Sequence, residues 1–237
     1  MKSIIGELAS PKVNLPTLAT RVIRAPQLVE ALLEGLSSPS ARIKYRSAKL
    51  LAVLSERSPV LLYPYFDLFV RLFDGDNRIL RWNAMRILGN LAPVDDCGRL
   101  EPLLGRFFAP ILGEELIDAN SVIAAAPAIA LAKPHLADQI AACILNVSRA
   151  NYATRECRNI AIGRAIDSFD GLIMLVKQRE PITEFVRRQL RNPRPATRRR
   201  AERFLKKWNA HEPHLHTAPP AGSPLPATPT EAQRAMH

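Results

Sequence analysis

The chain has 237 residues, 47% hydrophobic and 23% charged, which is enough apolar material for a sizeable core and the balance of a globular protein. No run of 18 or more apolar residues occurs, so neither a membrane-spanning helix nor a membrane partner is expected. The formal net charge of +11 is concentrated late: residues 1–170 hold 20 Lys/Arg against 17 Asp/Glu, whereas residues 171–210 hold 12 against 3.

In chain order, residues 1–25 read as a lead-in. MKSIIGELASPKVNLP carries an apolar patch broken by Glu7 and Pro11 rather than the continuous core of a secretion signal, so a cytoplasmic location is expected. LATRVIR follows as a short helix. The first repeat pairs PQLVEALLEGL with ARIKYRSAKLLAVLSE across Ser37, Ser38, Pro39 and Ser40, serines suited to cap the second helix. The second opens at Pro59 with PVLLYPYFDLFVRLF, apolar round much of its circumference and expected to form one helix between two neighbours. Its partner lies in FDGDNRILRWNAMRILGNLAP, residues 73–93. There Arg81 precedes Ala84 by three positions, and Ile87, Leu88 and Leu91 follow on one helical face.

The third repeat, roughly Asp96 to Lys133, ends in SVIAAAPAIALA, which has no charged face and is expected buried near the middle of the stack, kinked at Pro127. The fourth pairs PHLADQIAACILNVS with TRECRNIAIGRAIDSF, and the fifth pairs PITEFVRRQL with ATRRRAERFLKKW. With Ala48, Ala84, Ala124, Ala161 and Ala201 as landmarks, the spacings are 36, 40, 37 and 40 residues, the period of a stacked two-helix repeat. No sustained period-two pattern predicts a sheet. Residues 26–210 thus form the expected repeat domain. Residues 211–237, with six prolines between 213 and 229, form an expected disordered tail.

The segments DNRILRWNAMRILGNLAPVD (76–95), ECRNIAIGRAI (156–166) and ATRRRAERFLKKW (196–208) resemble HEAT-repeat proteins of prokaryotic type in their turn Asp/Asn, their Arg before Ala and their aliphatic ladder. The resemblance covers residues 26–208. It implies an all-α, right-handed α-α superhelix of about five hairpins, and a scaffold for proteins or nucleic acids. Tyr45 stands where the pattern has Arg, and repeat three has no matching Arg.

Two groups of residues are candidates for binding. Arg187 and Arg191 lie opposite Ile182, Phe185 and Val186, and Arg199, Arg203, Lys206 and Lys207 lie opposite Ala201, Phe204 and Leu205. This basic face fits nucleic-acid phosphates, an acidic protein, or a polar cap on a terminal repeat. Trp82, with Arg86, is either a concave-surface contact or packs on the adjacent repeat. Cys97, Cys143 and Cys157 suggest neither disulfide nor zinc site, and His211, His214 and His216 read as solvated, so no metal or cofactor is expected. Cys157 and His135 are the loosest of catalytic pairings, and Asp95–Asp96 and Glu114–Glu115 are adjacent acids with diverging side chains. The expectation is a non-enzymatic scaffold that binds a protein partner through the solenoid surface; the alternative is a sequence-nonspecific nucleic-acid-binding module, or a DNA-repair-type HEAT-like protein, using the basic C-terminal repeat.

Overall fold

A computed structural model describes residues 3–209; the proline-rich segment and its three histidines lie outside the described residues. Five long helices form an inner layer: α4 (Ala41–Arg57), α6 (Arg78–Leu91), α8 (Leu116–Ala132), α10 (Arg155–Leu172) and α12 (Pro195–Asn209). Each packs on the next in succession. The shorter α3 (Leu28–Gly35), α5 (Phe66–Asp74), α7 (Leu104–Phe108), α9 (Ala137–Leu145) and α11 (Glu180–Arg188) form the outer layer. The regular structure of the described residues is all helical, and the architecture is an α-solenoid of five hairpins. The lead-in adds α1 (Ile4–Ala9), not foreseen, and α2 (Leu15–Arg24), whose Ile4, Leu8, Leu18, Ala19 and Val22 are buried. Arg46 of α4 donates to the carbonyl of Leu8 at 2.7 Å and to that of Ser10, which holds α1 against the first repeat.

Prolines keep the outer helices short. The segment 59–73 is not one helix: 3-10 turns at Pro59–Leu61 and Tyr63–Tyr65 precede α5, because Pro64 has no N–H to continue an α-helical ladder. Nor is it enclosed on all sides. Phe66, Phe69 and Phe73 face the core while Asp67 and Arg71 face water. Asn77 and Thr154 cap α6 and α10, accepting from the amides of Leu80 at 3.2 Å and Cys157 at 3.0 Å. The serines before α4 behave otherwise. Ser40 occupies the cap without a side-chain bond to the helix, and Ser38 Oγ accepts from the Ser40 amide at 3.2 Å.

Four landmark alanines, Ala48, Ala84, Ala161 and Ala201, are buried between layers, but Ala124 is exposed. In the alanine-rich α8 the buried side is Ala119, Val122, Ile123, Ala126, Ile129 and Ala130. Hence α8 sits mid-stack as expected but is buried on one side only. It also runs unbroken through Pro127. Proline cannot donate to the carbonyl four residues back, that of Ile123, and the Ser168 hydroxyl of α10 donates to it instead. Opposite the proline ring is Gly171, where an added Cβ would come within 3.0 Å of Pro127 Cβ. On the other flank of α8, a Cβ at Gly89 would meet Ala125 Cβ at 2.6 Å, so α6 and α8 touch at a residue that must stay small.

A buried carboxylate fixes the corner between the second and third hairpins. Asp95 accepts from Tyr63 Oη at 2.7 Å and from the amides of Arg99 at 2.8 Å and Leu100 at 3.0 Å, and lies 3.3 Å from Lys133 Nζ. Burial pushes its carboxyl up, but the Leu100 amide, the Tyr63 hydroxyl, the Arg99 amide and the Lys133 ammonium outweigh it, so the net direction is down. Tyr63, through burial and then the bond to Asp95 and its charge, is pushed up to about 12. Gly98 makes the turn possible, its φ of 66° being in the left-handed region.

Candidate partner-binding groove

Residues four apart on a helix stack on one face, so Trp82, Arg86 and Asn90 form a single row along α6. On α8 the row is Ile117, Ser121, Ala124, Ala128 and Leu131, uncharged from end to end. The α6 row and the α8 row from Ile117 to Ala128, with Glu56 of α4, Asn120 and Arg164 of α10, line a groove of about 460 Å³ on the inner surface. The small side chains of α8 make its floor and the long ones of α6 and α10 its walls. Ile117 is 51% exposed and Leu131 70% exposed.

Trp82 sits between α6 and α8 at the edge of the groove. Its indole Nε1 donates to Asp118 Oδ1 of α8 at 2.6 Å, so it packs on the adjacent hairpin, and its ring still lines the groove. Asp118 also holds Arg81, at 2.9 Å. Arg86 is tied to Glu56, its Nε donating at 2.6 Å, and Asn90 donates to Ser55 Oγ at 3.0 Å. The wall on α6 is therefore fixed and locally neutral. Arg164, on the opposite wall, is exposed and forms no ion pair among the described residues. Nothing in the sequence singled it out.

The six residues of the basic face come from three elements: Arg187 from α11, Arg191 from the 3-10 turn Gln189–Arg191 after it, and the other four from α12. Arg187 and Arg191 are exposed, Arg187 lying 3.6 Å from Glu180. On α12, Lys207 is bound to Asp170 of α10 at 2.9 Å and sits 4.6 Å above the Trp208 ring. Trp208 Nε1 donates to the same carboxylate at 2.7 Å. Arg200 bonds Asp167 at 2.9 Å. Arg203 lines a cleft of about 350 Å³ with Asp167, Asp170, Arg200 and Lys207, and shares a neighbouring hollow with Arg199 and Glu202. Lys206 is exposed. Among the described residues Arg191, Arg199, Arg203 and Lys206 form no ion pair.

The remaining candidates are not brought together. His135 Nε2 is 2.9 Å from Glu101, whereas Cys157 Sγ accepts from Thr154 Oγ at 3.1 Å. Among the described residues no group of three or more His, Cys, Asp and Glu has metal-binding geometry, and no helix is long and apolar enough to cross a membrane.

No family model matches the chain, and no curated protein does. Solved structures do. A designed armadillo repeat protein superposes with a TM-score of 0.52 at 15% identity, over 85% of this chain and 97% of the other. An engineered protein from the Northeast Structural Genomics Consortium gives 0.52 at 13% identity, over 87% of each chain. These likenesses show the fold alone, an armadillo-type α-solenoid.

Proposed function

We propose that this HEAT-like solenoid, of the prokaryotic type its repeats resemble, is a non-enzymatic cytoplasmic scaffold that seats a segment of a protein partner in the groove over α8. The observation that carries the reading is the uncharged inner strip from Ile117 to Leu131. It runs along a helix whose opposite side is core, with Ile117 left half in water inside the groove and Leu131 exposed on the same row. Concave apolar surface walled by an aromatic residue and arginines is the composition of a protein-binding hot spot. Trp82 and Arg86 are the anchors on one wall.

Panning a random-peptide display library on the full chain tests this. Ala124 is exposed, so Ala124→Arg fills the floor of the groove without touching the core. Enriched peptides should lose at least about tenfold in affinity to that variant, a change of about 1.4 kcal/mol. The same peptides should bind unchanged to Arg187→Ser on the outer layer. Failure to enrich any peptide, or enrichment indifferent to Ala124→Arg, overturns the reading. A nucleic-acid module would behave differently. Its log affinity for duplex DNA would fall with log salt at a slope of about −0.9 per phosphate contact, and Arg199, Arg203 and Lys206 would carry the slope.

A further inference from the structure

We propose that the segment seated in the groove is bipartite, with an apolar anchor over α8 continued by an acidic tract over α10 and α12; the inference rests on the docking reading above. The inner surface changes character along the stack. Over α8 it is uncharged, and on the α6 side the one groove arginine, Arg86, is already neutralised by Glu56. Toward the last hairpin the balance shifts. Asp167 and Asp170 are held by Arg200 and Lys207, which leaves Arg164, Arg199 and Arg203 without an ion-pair partner among the described residues. The carboxylate of Glu202, which lines the last hollow with Arg199 and Arg203, is the counterweight. Three guanidinium groups against one carboxylate, on a concave wall where field lines are focused, favour an anionic ligand at this end of the groove only.

The spacing sets the length of the motif. Packed helices lie about 8–10 Å apart, and an extended chain advances about 3.3 Å per residue, so about three residues cross from one inner helix to the next. An apolar side chain resting on Ala124 and Ala128 would be followed about three residues later by a carboxylate facing Arg164. The acidic stretch would reach Arg203 about six residues from the anchor. Carboxylates match the planar guanidinium fork. A nucleic-acid backbone would satisfy the same cations but leave the uncharged strip beside them unused, so a peptide is the better fit.

The test uses a random 16-residue display library panned on the full chain, followed by fluorescence anisotropy of an enriched, synthesised peptide. Enriched sequences should carry Asp or Glu on one side of an apolar pair. Arg164→Glu with Arg203→Glu should weaken the peptide by about tenfold or more, and lysines in place of the peptide's acids should restore binding to that variant. The peptide's apolar half alone should bind both proteins equally. Both arginines are exposed, and thermal unfolding followed by circular dichroism checks that the double variant stays folded. Enriched peptides without acidic bias, lost to Ala124→Arg but indifferent to the arginine changes, would overturn this inference and leave the docking reading standing. If nothing is enriched, both fall. If a 12-residue oligo-dT outbinds the peptide, requires Arg164 and Arg203 and ignores Ala124→Arg, the cations serve a nucleic acid and the proposal fails.

Discussion

At the corner between the second and third hairpins Asp95 accepts a hydrogen bond from the Tyr63 hydroxyl and holds Lys133. At the last seam Asp170 accepts one from the Trp208 indole and holds Lys207. The chemistry is nearly the same, a carboxylate between an aromatic donor and an ammonium. The surroundings are not. The Asp95 side chain is 0% exposed and takes two backbone amides as well, whereas that of Asp170 is 42% exposed. Asp118, between Trp82 and Arg81, stands nearer the first at 12%. In water the pair at Asp170 is screened, and its Coulomb energy is largely offset by side-chain entropy. At Asp95 the carboxylate serves the Tyr63 hydroxyl and two amides and faces the Lys133 ammonium, so its removal leaves those three donors unpaired and takes the countercharge from Lys133, which keeps its bond to the Asp95 carbonyl.

The largest effect should therefore come from Asp95→Ala, which strands Tyr63 and two amides, removes the countercharge of Lys133 and should cost about 3–5 kcal/mol, read as a shift in the urea midpoint. Equal losses at Asp95→Ala and Asp170→Ala would break the comparison. Acid sharpens it. The folded-state pKa of Asp95 is lowered, so its contribution is fully present above the unfolded carboxylate value and is lost as pH falls through the folded one. The stability gap between wild type and Asp95→Asn should accordingly hold near neutrality and shrink below about pH 4, since the unfolded reference is about 3.9. A gap constant to pH 2 would contradict the assignment.

A neutral group asks whether burial or charge sets the scale. Ser168→Ala removes the donor to the Ile123 carbonyl and should cost about 1–3 kcal/mol. In a Pro127→Ala background residue 127 regains its N–H and can serve that carbonyl itself, so Ser168→Ala should then cost little. The double-mutant cycle should show a coupling of about 1 kcal/mol or more. Additive losses would mean that the hydroxyl does not replace the proline's missing donor. Gly89→Ala, which drives a methyl onto Ala125, should cost about 1–3 kcal/mol by overpacking, in part recovered by Ala125→Gly.

The spacing of small and aliphatic residues is what made the hairpins legible, and it failed where alanine lost its contrast. In α8 alanine occurs on every side, so Ala124 was indistinguishable from Ala119 or Ala126, and an uncharged helix read as wholly buried. A strip facing a concavity and a strip facing a core have the same composition; only the neighbours tell them apart. Pro59 and Pro64 stand within a run of Leu and Phe whose apolar pattern continues through them, so the pattern reads as one helix although Pro64 breaks its ladder. Trp82 and Arg86 stood out as an aromatic–arginine pair, whereas Arg164 is a single arginine in an ordinary amphipathic stretch. In the sequence Asp95 is half of an adjacent Asp–Asp pair with diverging side chains. Its one signal was the turn Asp95–Gly98, which places a carboxylate beside a glycine with positive φ.

The smallest effect should be at Asp170. Asp170→Asn removes the charge that holds Lys207 but keeps an amide oxygen to accept from Trp208, so α12 should stay docked through Ala201, Phe204 and Leu205, all buried. The expected loss is below about 1 kcal/mol at low ionic strength and should vanish near 1 M salt, where the screening length is about 3 Å. Tryptophan emission offers a second readout, because in a Trp82→Phe background Trp208 is the one remaining tryptophan and reports the seam directly. A salt-independent loss of several kcal/mol would mean that the half-exposed pair behaves like the buried one. The contrast with Asp95 would then rest on something other than access to water.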